Sequence, residues 1–322
     1  MIIVSPSPHI HAGRSTDRLM WQVVLALMPA LAVAIWTFGL RAAGIVAICL
    51  FSSLLTEWII DRCMGRRSTL LDGSAVITAI LLAFNLPSIL PWWMAVIGSV
   101  VAIGIGKMSF GGLGCNIWNP ALVGRVFLLI SFPAAMTTWP VEVSSGADGF
   151  TGATMLAYMQ YEPDAASHVN LLDMAVGHMN GSLGETGAIA ILIGAVYLLL
   201  RGVITWHIPV SVLGSAALFS WLFGGNPALD LMAGGLMLGA CFMATDYVTS
   251  PMTPKGQLIF GAMIGLITII IRRYGAYPEG VSFAILLMNS FVPLINRYTR
   301  PAVFGMRERK ALIRAARKGV QP

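Results

Sequence analysis

Apolar residues fall along this chain in long runs joined by short polar connections, with one long polar interruption near the middle. The runs before it cover about Leu19–Phe38, Ala42–Ile60, Ser74–Leu90, Pro91–Gly106 and Pro120–Thr137. Those after it cover Thr186–Leu200, Trp206–Phe223, Leu229–Ala244, Gly256–Ile271 and Gly280–Ile295. A spanning helix needs about 20 residues. Several runs are shorter or interrupted by Gly and Pro, which predicts helices broken at membrane depth, a feature tolerated only where protein or a cavity surrounds the break. The expected fold is an all-α polytopic membrane protein with about ten transmembrane helices, in two five-helix repeats with broken or re-entrant helices. Asn119-Pro120-Ala121 in the first half is echoed by Asn226-Pro227-Ala228 in the second. Asn-Pro-Ala recurring at helix starts, where Pro is favoured, would give the same echo without duplication.

Composition agrees with the pattern. The 322 residues are 57% hydrophobic and only 11% charged, with a mean hydropathy of +0.79. Soluble domains carry about 25% charged residues, so this chain has too little charge to cover a water-facing surface. The net charge of +6 does not point to nucleic acid, because eight of the twenty Lys and Arg lie in residues 297–322, just after the last apolar run. That placement reads as a cytoplasmic tail.

Charge also orients the chain. If the N-terminus is cytoplasmic, Arg14, Arg18, Arg62, Arg66, Arg67, Lys107, Arg201, Lys255 and the tail share one side. The interruption at 138–185 falls on the other side, with no Lys or Arg and six acids. This is the positive-inside asymmetry; Arg41, Arg272 and Arg273 run against it. The expected layout is a cytoplasmic segment at 1–18, a first transmembrane half at 19–137, an extracytoplasmic loop at 138–185, a second half at 186–296 and a basic cytoplasmic tail at 297–322. No cleavage site follows the first run, so that run is expected to remain as a span. The four cysteines are scattered and read as buried, inert thiols rather than as a disulfide or metal framework.

Several polar groups sit where lipid would reject them. Within Lys107–Arg125, the residues Gly111, Gly112 and Gly114 permit unusual backbone turns, while Asn116, Asn119 and Arg125 add polar groups. Unwound backbone beside a helix start can hold an anionic or carbonyl-bearing ligand, so Asn119 and Arg125 are candidates for a membrane flavin or ion site. The alternative is a re-entrant break whose polar groups satisfy one another. Asp72 fits a helix cap, Glu57 and Asp61 close the second run with Asp61 beside Arg62, and Asp246 closes the eighth. His168 and His178 lack metal-ligand spacing.

The interruption holds Asp148-Gly149-Phe150-Thr151-Gly152-Ala153-Thr154. A loop Thr hydroxyl is a poor nucleophile without an activating base. A Thr among small neighbours suits modification by an enzyme that brings its own base or metal.

This motif resembles the sequence that periplasmic flavin transferases recognise, in which FMN joins the last Thr through a phosphodiester. The resemblance extends to D-G-S-A-V-I-T-A-I-L-L-A-F-N-L-P, to G-K-x-x-F-G-G-L-G-x-N-x-x-N-P-A-x-x-G-R, to T-D-x-V-T-S-P-x-T-P-K-G and to Tyr277-Pro278-Glu279-Gly280-Val281-Ser282-Phe283-Ala284. Together these resemble the family that unites the D subunit of the Rnf electron-transport complex with the B subunit of the sodium-pumping NADH:quinone reductase. The short stretch before the first run is similar to the Rnf branch. The resemblance implies covalent FMN on Thr154, with Asp148, Thr151, Gly152 and Ala153 as the recognition motif, and a second, non-covalent flavin such as riboflavin in the membrane. It also implies electron relay from ferredoxin to NAD coupled to Na+ or H+ movement, other subunits and a flavin transferase as partners, and no activity for the subunit alone. A reading of another class is a small-solute or ion channel on a duplicated repeat, with the flavin motif fortuitous.

Overall fold

The computed structural model describes residues 15–66, 68–140, 151–152, 154, 156, 171–177, 180–185, 187–275 and 279–301. Helix α1 (Thr16–Phe38) starts at Ser15, whose hydroxyl accepts from Arg18 N, and ends at Gly39, whose φ of 67° an L-residue rarely adopts. It is followed by α2 (Leu40–Cys63), α3 (Ser74–Phe84), α4 (Trp92–Val101) and α5 (Pro120–Ser131). A π turn, Ala102–Lys107, prolongs α4. After the short α6 (Pro133–Met136) and α7 (Leu171–Val176), the second half contains α8 (Ala188–Leu200) and α9 (His207–Leu222). It continues with α10 (Pro227–Met232), α11 (Leu236–Leu238) with its π turn Gly239–Met243, α12 (Pro254–Tyr274) and α13 (Val281–Thr299).

Five of the described helices are long and apolar enough to span a membrane, and four more are apolar but of 10–17 residues. The remaining apolar run, the eighth, is divided among α10, α11 and the second π turn. The protein is thus an all-α polytopic membrane protein in its membrane segments, with the expected breaks and a two-residue strand pair outside them. Eleven residues in α3 rise only about 16 Å, against a hydrocarbon core of about 30 Å, so the end of α3 lies inside the protein. Its freed carbonyls are satisfied by the chain returning from the polar interruption. Gly184 N donates to Phe84 O at 2.7 Å and Leu183 N to Leu86 O at 3.3 Å. Ser182, Leu183 and Glu185 are all buried there.

The core is hydrophobic, but at the C-terminal end of α2 the polar residues are the ones buried. On α2 the inward stripe runs through Ser52, Ser53, Thr56, Glu57 and Asp61, while Phe51 is 70% exposed and Trp58 49%. Lipid covers the second set; the first needs partners inside the protein. Helices approach closely through small residues, as membrane packing favours. A Cβ on Gly124 would lie 2.7 Å from the Gly98 carbonyl oxygen, and one on Gly265 would collide with Ser215 Oγ.

Packing repeats between halves. Helix α2 packs on α3 and α4, as α9 packs on α10 and α12; the two first helices, α1 and α8, pack on each other, and so do the two fifth helices, α5 and α13. The Asn-Pro-Ala echo does not mark this relation. Asn119 caps α5, the fifth helix of its half, whereas Asn226 caps α10, which opens the third segment of its own. Each amide oxygen accepts from the N–H two residues on, so the echo reflects capping chemistry. Two cysteines, Cys63 and Cys115, are exposed rather than buried, because Cys63 is the last residue of α2 and Cys115 lies in the turn before α5.

Candidate functional site

Polar groups gather at three levels. At one face a partly open cavity of about 90 Å³ is lined by the start of α1 (Leu19, Met20), the end of α8 (Leu198) and a few polar groups: Ser74, Thr78, Lys107, Asn116, Asn119 and Asp246. The π turn ends at Lys107 and delivers its ammonium into the protein, 2.7 Å from Glu57 Oε1 and 2.6 Å from Ser74 Oγ. The hydrogen-bonded chain continues from Glu57 to Thr69 Oγ1 at 2.6 Å, and from Ser74 Oγ to Asp72 Oδ1 at 2.5 Å. Asp61 is buried and accepts from Thr69 N at 3.2 Å, so it is bound to Thr69 rather than to the adjacent Arg62. Asp246 accepts from Thr249 Oγ1 at 3.1 Å.

In the middle, Arg125 is 3% exposed and donates to Asn85 Oδ1 and Ser282 Oγ, each at 2.7 Å. It also pairs with Glu279, which stands just before α13 in the other half. Asn119, although near Arg125 on the same helix, faces the cavity instead; its amide donates to Met243 O at 3.2 Å. The two candidates therefore serve different places, Asn119 the cavity and Arg125 the joint between halves.

At the opposite face lies the motif. Thr151 and Gly152 form β2, paired antiparallel with β1 (Trp139–Pro140), Trp139 opposite Gly152. Thr154 follows, 3% exposed, and Leu156 packs with Met174, Leu229 and Ala233. The side chain two residues beyond the motif's last Thr thus packs against α10 of the second half. Asp148 and Ala153 lie outside the described residues, as do His168 and His178. Arg272 and Arg273, the exceptions to the charge rule, are at this face too. Arg272 donates to the carbonyl oxygens of Asp230 and, at 2.8 Å, Ala233, while Arg273 lies 3.5 Å from Asp230 Oδ2, which also accepts from Ser220. A guanidinium tied to an aspartate inside the protein does not need the cytoplasmic side. The buried Glu185 carboxylate lies within electrostatic reach of both Arg125 and Arg272.

Sequence reasoning missed the Lys107–Glu57 pair, the Arg125–Glu279 pair and the burial of Glu185. The available signal was that each is an ionisable group inside or beside an apolar run.

These features define a class: a polytopic membrane protein whose two packed halves enclose buried ion pairs, a cavity on one face and a tethered Thr segment on the other. The profile of the NQR2, RnfD, RnfE family matches residues 3–305. The D subunit of the Na(+)-translocating ferredoxin:NAD(+) oxidoreductase complex of Acetobacterium woodii is 48% identical over 95% of this chain and 96% of its own length. The D subunit of the proton-translocating ferredoxin:NAD(+) oxidoreductase complex of Clostridium ljungdahlii is 42% identical over 94% of this chain and 96% of its own. The D subunit of an ion-translocating oxidoreductase complex of Escherichia coli is 39% identical, covering 95% and 99%. The chain belongs to the NQR2, RnfD, RnfE family.

Proposed function

We propose that this protein is the D subunit of an ion-translocating ferredoxin:NAD oxidoreductase complex, and that it carries FMN on the Thr154 hydroxyl through a phosphodiester. Similarity over 94–95% of the chain to two relatives so named, and to a third named as the D subunit of an ion-translocating oxidoreductase complex, supports the first part. The second rests on the motif ending at Thr154 together with its setting. The β1–β2 pair and the Leu156 contacts hold the segment on the protein, and the Arg272 guanidinium reaches the same patch of α10, chemistry suited to a phosphodiester anion. Since Thr154 is 3% exposed, a transferase would have to act before this segment packs or while it is lifted. FMN attached there would supply one- and two-electron transfer. The chain's own residues then tether it, fix its distance from the membrane and exclude water from its attachment point.

In this reading the N-terminus, the cavity face and the basic tail are cytoplasmic, and the Thr154 face is extracytoplasmic in the bacterial inner membrane. The cavity, mostly apolar with a few converging polar groups, has the character of a ligand pocket, and we assign it to the second, non-covalent flavin, with Asn119 and Asn116 as donors and acceptors. Arg125 joins the halves beneath it. The subunit works within the complex and has no activity alone. One relative is named for Na+ and another for protons, so the coupling ion of this complex is a matter for ion-substitution assays on the complex itself.

The test is in-gel flavin fluorescence of the denatured chain from cells that hold the flavin transferase. A fluorescent band in the wild type and in T151S, lost in T154V, is the expected result for attachment at Thr154. An equally fluorescent T154V band would refute that assignment.

A further inference from the structure

Arg272, 5% exposed, stands at the Thr154 face with donors to spare. A guanidinium offers five N–H donors. Among the described residues those of Arg272 go to the Asp230 and Ala233 carbonyl oxygens, the nearest Asp230 carboxylate oxygen is 3.8 Å away, and Nε has no hydrogen-bond partner. Glu185 acts on it through charge alone, without a hydrogen bond between described atoms. A buried donor without a partner costs free energy and calls for an explanation. The position supplies one. The point where a Cβ on Gly234 would stand is 3.0 Å from Arg272 Nη2 and 2.6 Å from Leu156 Cδ1. The guanidinium and the side chain two residues beyond Thr154 thus converge on one glycine, and only a residue without a side chain leaves them room.

The equivalent place in the first half is differently satisfied. Lys107 ends the fourth helix there, as Arg272 lies near the end of the fourth helix here, and its ammonium is engaged at short distance by Glu57 and Ser74. The second half presents Ser220 and Asp230 on the matching second and third elements with hydroxyl and carboxylate exchanged, but they bond to each other, and Asp230 is shared between two guanidiniums. Donors at the Thr154 face therefore exceed the hydrogen-bond acceptors that the described residues offer them.

From this we infer that Arg272 is a positioning residue for the anion borne on Thr154: its guanidinium holds the flavin's phosphodiester. The inference rests on the covalent-flavin reading given above. A phosphodiester monoanion offers planar guanidinium donors two charged acceptor oxygens, a stronger match than a neutral carbonyl. It would hold the flavin's ribityl arm at the α10 surface while leaving the ring free to meet a redox partner. Asp230 and Ala233 set the guanidinium's orientation, and Arg273 remains the charge partner of Asp230.

The test is a double-mutant cycle on the purified complex, crossing Thr154→Val with Arg272→Lys and, separately, with Arg272→Gln. The thermal midpoint gives the coupling, and in-gel fluorescence reports attachment. The prediction is that R272K and R272Q still give the fluorescent band, that R272Q lowers the midpoint more than R272K, and that both losses shrink at least twofold in the T154V background. If each Arg272 substitution costs the same with and without Thr154, Arg272 is structural only and the inference is wrong while the flavin reading stands. A wild-type band without fluorescence overturns both. R272K keeps the charge and the helix contacts, so a failure of R272Q to assemble leaves the R272K arm to decide.

Discussion

The two halves of this protein place an ion pair at the same point of their architecture and put it to different uses. In the first half Lys107, at the end of the fourth helix, meets Glu57 near the end of the second and Ser74 at the start of the third. In the second half Arg272 and Arg273, near the end of the fourth helix, meet Asp230 in the third segment, where Ser220 from the second helix joins them. Carboxylate and hydroxyl have exchanged elements between halves, yet each node ties together the same three helices. Because the halves run oppositely through the membrane, the nodes face opposite sides. The first opens on the cavity; the second lies under the Thr154 segment. Duplicated architecture thus provides two equivalent polar anchors, and what each half adds around its anchor decides its task.

Breaking the first anchor should have the largest effect. Lys107→Met would leave Glu57, which is fully buried, without its cation, at a cost of about 3–5 kcal/mol. Thermal unfolding of the purified complex would show it, and adding Glu57→Leu in the same chain should recover much of the loss. If K107M alone is silent, the pair is not the anchor described. Next come the close approaches. Gly184→Val places atoms where Phe84 Cβ stands 2.6 Å from the position of a new Cβ. It should cost about 1–3 kcal/mol as an overpacked contact and release the segment at 182–185, read as new protease cleavage there. Gly265→Val should act similarly between α9 and α12 without exposing that segment, which separates local from general damage. Asn119→Ala should cost about 1 kcal/mol as a lost N-cap while reducing flavin retained non-covalently by the complex; unchanged non-covalent flavin would remove Asn119 from the cavity's chemistry. Phe51→Leu, on the lipid face, should fall within about 0.5 kcal/mol of wild type.

Much of this was legible in the sequence because lipid enforces it. All ten apolar runs have a structural counterpart, and the breaks expected from Gly and Pro interruptions are present, most fully in the eighth. The helix start at Asn119-Pro120 and the motif at 151–154 were equally local, although Asn119 reads in the sequence as a ligand site and not as the cap it forms. Pairing across the chain was not legible. Lys107 and Glu57 are 50 residues apart, and nothing in periodicity says that a π turn will rotate one toward the other. Glu185 looked like a solvated loop acid because burial of its neighbours comes from Phe84 and Leu238, which approach through a single glycine. Arg272 and Arg273 contradicted the charge rule because that rule counts loop charges, whereas these are held inside by Asp230.

Whether the outer anchor carries a flavin fixed to one hydroxyl can be read from peptide mass. Trypsin is a poor choice, since no Lys or Arg occurs between Arg125 and Arg201. Chymotryptic or Glu-specific digestion of the chain from flavin-transferase-bearing cells should yield a Thr154 peptide heavier by one FMN less one water, with fragment ions placing the added mass on Thr154. The same peptide at its unmodified mass throughout, or the addition placed on Thr151, would contradict attachment at Thr154.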